Sequence, residues 1–400
     1  MLTPRLVVSC LALAFAVATP PAQAAAPTLT LACIWDTDTL AMEAKAFPGI
    51  AEVLTGRFER FPPRYYEMRL ERVRREVAAS PANLALYDDA GAACDRLKRS
   101  DNAVAWMERK AAVLAAADQS LPATLEHRYR LHANLGTFLA HRWLRNGAPR
   151  DNMEDIRRAE SEIAEAIQIN PDAHFGREKY QLAAIRWLID LPSVEDFSPP
   201  TFVVPAPLGK GDGRVNAADA VRGISGLIVL GDAWESVDVH WALGAALRAD
   251  GDSALAKLAR LRIDELVSAG KQSLHPAFDP HQLLANPGLE GSRGGGLYES
   301  DITAIEAYFK RARASADALQ QRRWAFMEAR FVEGKHPDTH NDFWHGWREP
   351  DPPAHPWRLL PPRESQSGVL AYGAIGIALI LTAYCWIRAR QRRAARRPVE

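Results

Sequence analysis

The stretch 155–171, DIRRAESEIAEAIQINP, constrains this chain more than any other. Ala159, Ile163, Ala166 and Ile167 recur at helical spacing, charged residues fill the remaining positions, and Pro171 closes the run. Such a helix carries one apolar stripe that it cannot bury by itself. It needs a partner helix before it and another after it. The spacing therefore predicts a stacked helical array, an architecture built for binding.

The flanking sequence supplies the partners. Pro62 and Pro63 open a helix over 64–79, with Tyr66, Leu70, Val73 and Val77 on its apolar face. Helices over 83–97 and 100–114 are separated by a short turn at Lys98–Asp101 and should lie antiparallel. Further helices fall at 131–144 and 175–189. The prolines and glycines of 191–216 then break the pattern, with room for a short edge strand at 201–204. Helical periodicity returns at 217–230, 237–248 and 253–269. Residues 275–296 read as loop and 297–331 as a long helix or hairpin. Residues 336–362, rich in Pro, Trp and His, read as an extended connection from body to membrane, with room to wrap in part on the body.

Tyr87, Ala90, Gly91, Cys94, Ala103 and Met107, with Pro81 where a preceding unit would close, resemble the tetratricopeptide-repeat (TPR) family. Leu135, Gly136, Leu139, Ala159, Ile163, Ala166 and Pro171 repeat the same phase, with a longer loop near 146–151. Leu243, Gly244, Leu247, Gly251, Asp252 and Ala256 resemble a third unit. The resemblance implies an all-α solenoid of helical hairpins, with first-helix side chains lining a concave groove. Carried over position by position, the groove holds Asp88, Ala92, Asp95 and Arg96, then Arg130, Ala133, Asn134, Thr137 and His141, then Trp241 and Arg248. Members that clamp a peptide carboxylate use basic residues there; Asp88 and Asp89 put the opposite charge in place.

The two ends carry an address. Arg5, the apolar run 6–19 and Ala22-Gln23-Ala24 fit a signal peptide cleaved after Ala24. Residues 368–387 hold no charge, have the length of a bilayer span, and are followed by six arginines between 388 and 397. The expected order is signal peptide 1–24, N-terminal segment 25–61, TPR-like array 62–190, linker 191–216, second helical region 217–332, juxtamembrane segment 333–367, transmembrane helix 368–387 and basic cytoplasmic tail 388–400. The body is expected outside the cytoplasm, periplasmic or extracellular, on a single-pass anchor in the cytoplasmic membrane. In that compartment Cys33 and Cys94 can pair, or Cys94 can stay a buried thiol.

Lys plus Arg equals Asp plus Glu at 49 each, which argues against a nucleic-acid partner. GxSxG, HExxH, CxxC and phosphate-loop patterns are absent from the sequence, so the reading is of a non-catalytic scaffold for a protein or peptide partner, with no cofactor or metal. Two polar sets stand apart. Asp36 and Asp38 precede a helix near Thr39, where a carboxylate serves as a cap. The pair could instead belong to a metal or ligand site, and His174 or Arg177 could separately hold a ligand; a body that binds a metal or small ligand through Asp36, Asp38 or His174 would make the protein a sensor or an enzyme accessory. His336, Asp338, His340, Asp342 and His345 match no zinc spacing and read as solvated.

Overall fold

The structure is a computed structural model, in which residues 34–44, 47–171, 173–191, 217–275, 279–281 and 297–356 are described. The expected signal peptide, the linker from 192, the edge strand at 201–204, the membrane span and the basic tail lie outside these residues, as does Cys33. Among the described residues the chain is all-α, with no strand. No helix there is long and apolar enough to cross a membrane.

The helices are α1 (Thr37–Ala44), α2 (Ile50–Thr55), α3 (Pro63–Ala79), α4 (Leu84–Arg96), α5 (Ser100–Ala115), α6 (Pro122–Arg145), α7 (Glu154–Ile169), α8 (Arg177–Ile189), α9 (Ala217–Val229), α10 (Val237–Ala249), α11 (Ser253–Ser268) and α12 (Glu299–Val332). From α3 to α11 each helix packs mainly on its neighbours in sequence, as short connections require. The stripe on α7 is buried as its spacing demands: Ile156, Ala159, Ile163 and Ala166 are all 0% exposed. Their partner is α6. A Cβ at Gly136 would sit 2.8 Å from the Ile163 side chain and 3.1 Å from the Ala159 carbonyl. The missing side chain is what lets the two backbones meet. Between α10 and α11, Gly251 takes φ +89° and Asp252 caps α11 by accepting from the Leu255 N–H at 2.9 Å.

Two elements differ from the expectation. Helix α6 starts at Pro122, nine residues before the Leu131 start, because proline opens it and Thr124 and Tyr129 are buried beneath neighbours. Helix α2, with no periodic stripe of its own, packs against α9, α11 and α12. Of the two forms expected for 297–331, a long helix or a hairpin, the chain takes the first, as α12 over Glu299–Val332. The segment after α12, over its described residues to 356, wraps on the body, the partial wrapping that its sequence allowed. Phe343 is 0% exposed and meets Phe326 and Phe331, and His336 stacks on Tyr65 at 4.5 Å. Helices α8 and α9 pack directly, so one apolar core runs from Ile34 to Phe343.

Candidate functional site

Alternate helices α4, α6 and α8 turn polar side chains onto one inner face. There they meet in pairs: the Asn134 Nδ2 donates to Asp88 at 3.0 Å, His141 Nδ1 lies 2.9 Å from both Asp95 oxygens, and Gln181 donates to Thr137 at 2.9 Å. Lys110 reaches in from α5 to Asp88, with both Nζ–O distances 2.7 Å. Burying the ammonium pulls the Lys110 pKa down, and Asp88 partly offsets this. Burial alone would raise Asp95; His141 and Arg145 more than compensate and hold its carboxyl well below the usual range. His141 is pushed down by burial.

These are the residues expected along an open groove, and the structure places them differently. Asp88, Ala92, Asp95, Ala133, Asn134, Thr137 and His141 are buried, at 0–2% exposure. Trp241 is buried too, packed with Val237, Ile263 and Leu266 between α10 and α11. Arg96, Arg130 and Arg248 remain half-buried. Asp88, Asp95, Asn134, Thr137 and His141 are brought together on the inner face, while Trp241 lies in a separate cluster.

What fills this face is the chain itself. Asn134 grips one peptide unit on each side of Trp35: its Oδ1 accepts from the Trp35 N–H at 2.7 Å and its Nδ2 donates to the Trp35 carbonyl at 2.9 Å. Asp89 accepts from both the N–H and the hydroxyl of Thr37, at 2.8 and 2.9 Å. The Trp35 ring is fully buried, edge-on to Tyr129 at 5.6 Å and beneath the Arg177 guanidinium at 4.6 Å. Helix α1 then begins. The Thr39 N–H donates to Asp36 and the Asp36 N–H donates to Thr39 Oγ1, both at 2.9 Å, a reciprocal cap.

The carboxylates Asp36 and Asp38 thus have structural partners. Arg69, 0% exposed, clasps Asp38 through Nη1 and Nη2 at 2.7 and 2.9 Å, and clasps Asp338 through Nε and Nη2 at 2.7 and 2.6 Å. Tyr65 donates to Asp38 at 2.6 Å and to no other group in this set. One arginine therefore pins both the N-terminal segment and the returning C-terminal segment onto α3. Burial, with the charge of Asp38 next, pushes Asp36 up to about 7. Burial would raise Asp338 as well, but the bonds from Arg69 outweigh it and hold it down at about 2. Among the described residues no three His, Cys, Asp or Glu side chains converge as a metal-ligand set. The His174 side chain lies outside the described ones.

Beside this seat is a cavity of about 470 Å³ between α1, the 57–62 loop, the end of α4, α9 and α12. Phe58, Phe61, Leu230, Trp234 and Trp324 supply its apolar walls; Asp36, Asp38, Arg60, Arg96 and Lys98 are among its charged lining. Sequence reading missed it because its walls come from five separated segments. The free thiol of Cys94 is buried on α4, and burial raises its pKa to about 11. No protein-family model, curated protein or solved structure matches the chain.

Proposed function

We propose that the protein is a non-catalytic interaction scaffold of the TPR type, anchored by the 368–387 span with its body outside the cytoplasm. One observation carries the binding part of this reading. The inner face of α4 and α6 already holds a peptide segment by its main chain, through Asn134 on Trp35 and Asp89 on Thr37. Hydrogen bonds to a peptide main chain give affinity largely irrespective of its sequence; because the chain's own segment fills this seat, a partner would meet the half-buried rim at Arg130 and Arg248. The neighbour-to-neighbour packing of α3–α11 and the close approach at Gly136 support the repeat reading. The apolar stretch 368–387 and the arginines after it support the anchor.

The test is photocrosslinking in membranes, with the photoreactive residue at the half-buried rim positions Arg130 or Arg248 and, as a control, at exposed Arg75 on α3. The reading expects a discrete adduct from the rim positions and none from position 75. No adduct from either rim position would count against a scaffold.

A further inference from the structure

Every charged side chain named around the 470 Å³ cavity is paired with an opposite charge, with one exception. Asp38 is held by Arg69, and Asp36 lies 3.5 Å from the same guanidinium. Arg96 and Lys98 share Asp232 at 3.4 and 3.0 Å. Glu235 pairs with Lys271 at 2.7 Å and Glu59 lies 3.8 Å from Arg323. Arg60 has no carboxylate oxygen within 4.0 Å among the described residues. Its Nη2 donates to the Gly56 carbonyl at 3.2 Å, and its Nε–H is buried with no hydrogen-bond partner. Burial and then the charge of Arg313 pull its pKa down to about 10, against the opposing pull of Asp317 and Glu235. A guanidinium whose Nε–H is shut off from water without an anion beside it carries a cost that is relieved when an anion arrives.

The surroundings define that anion. The Arg60 guanidinium carbon lies 5.1 Å from the Trp234 ring and 5.2 Å from the Phe58 ring, within cation–π range of both, and its Nη2 is tied to the Gly56 carbonyl. The Arg60 carbonyl accepts from Gln320 and from the Trp324 indole N–H, both at 2.7 Å, which ties this loop to α12. A planar fork held in place suits a carboxylate. Carboxylates elsewhere in the lining oppose a second negative charge, which disfavours phosphate dianions. The cavity volume lies within the range of small-molecule sites, about 300–1,000 Å³. We propose that this cavity binds a monocarboxylate with an apolar body, its carboxylate on Arg60 and its body against Trp234, Trp324 and Phe61. The site borders the inner-face seat through Asp36 and Asp38, but Arg60 and its aromatic neighbours make no contact with Asn134 or Asp89 among the described residues, so the carboxylate preference is read separately from any protein partner of the array.

The experiment titrates the full-length protein with 3-phenylpropionate, octanoate and N-acetyl-leucyl-phenylalanine at millimolar concentrations, each beside its amide, following tryptophan fluorescence and heat. Saturable binding is expected, with the acid at least about tenfold tighter than the amide, the effect of one charge-assisted hydrogen bond or more. Arg60→Gln should abolish that preference and Arg60→Lys should keep part of it. Preference for the dipeptide points to a chain end as the source, and preference for the simple acids to a free metabolite; both support the site. Acid and amide binding alike, no saturable binding of any acid, or a preference that survives in a folded Arg60→Gln protein would each overturn it. The acid–amide comparison on the unmodified protein stands even where a variant does not fold.

Discussion

Trp35→Ala tests whether the N-terminal segment is an integral part of the core. The ring is 0% exposed, lies edge-on to Tyr129 and sits under Arg177. Burying about 200 Å² of indole at about 25 cal/mol per Å² gives roughly 5 kcal/mol as an upper bound. Truncations of buried aromatics cost about 3–5 kcal/mol, since the void collapses only in part. At about 2–4 °C per kcal/mol for a body of this size, the melting temperature should fall by about 6–20 °C. Thermal unfolding followed by circular dichroism reads this, with Leu121→Ala as the control. Leu121 is 50% exposed and its truncation should stay within about 0.5 kcal/mol. A Trp35→Ala loss below about 1 kcal/mol, with cooperativity unchanged, would refute the seating of Trp35 between Tyr129 of α6 and Arg177 of α8. A new early unfolding phase would show instead that the segment releases on its own.

Further outcomes follow from other buried groups. Lys110→Met strands Asp88 and should cost about 3–5 kcal/mol in urea unfolding, whereas Lys110→Met with Asp88→Leu should recover much of it. Asp36 takes up its proton more readily folded than unfolded, so its contribution is fully present below about pH 4 and is lost as pH rises through about 7. Asp36→Asn should therefore gain stability relative to the parent over that window, and a difference independent of pH would contradict it. Subtracting the two curves cancels His141 and His336, whose depressed pKa values act in the opposite direction. Gly136→Val should cost about 1–3 kcal/mol by pushing α7 off α6. Peptide mapping after alkylation of the native protein should find Cys94 unmodified and unpaired; a Cys33–Cys94 disulfide would contradict its free, buried state.

The helices were legible because their stripes are local. The apolar stripe of α7, the proline start of α3 and the Gly251-Asp252 turn are each set by residues within a few positions of one another. The inner face was legible in part: Asp88, Asn134, Asp95 and His141 do share a face and touch. Their burial was not, since it depends on Trp35 reaching Asn134 across 99 residues. Nor does sequence reveal that Arg69 meets Asp338 across 269 residues, because an isolated Arg or Asp on a helix reads as solvated. The cavity beside Arg60 has the same origin, as its lining runs from Asp36 to Trp324.

The inner face acts as a seat for a peptide main chain, and amide hydrogen exchange tests that directly. The N–H groups of Trp35 and Thr37 donate to Asn134 and Asp89, both of them buried. They should exchange as slowly as the amides of α4 and α6, opening only with the core. Exchange of Trp35 and Thr37 at the rate of a free chain, while α6 stays protected, would contradict it.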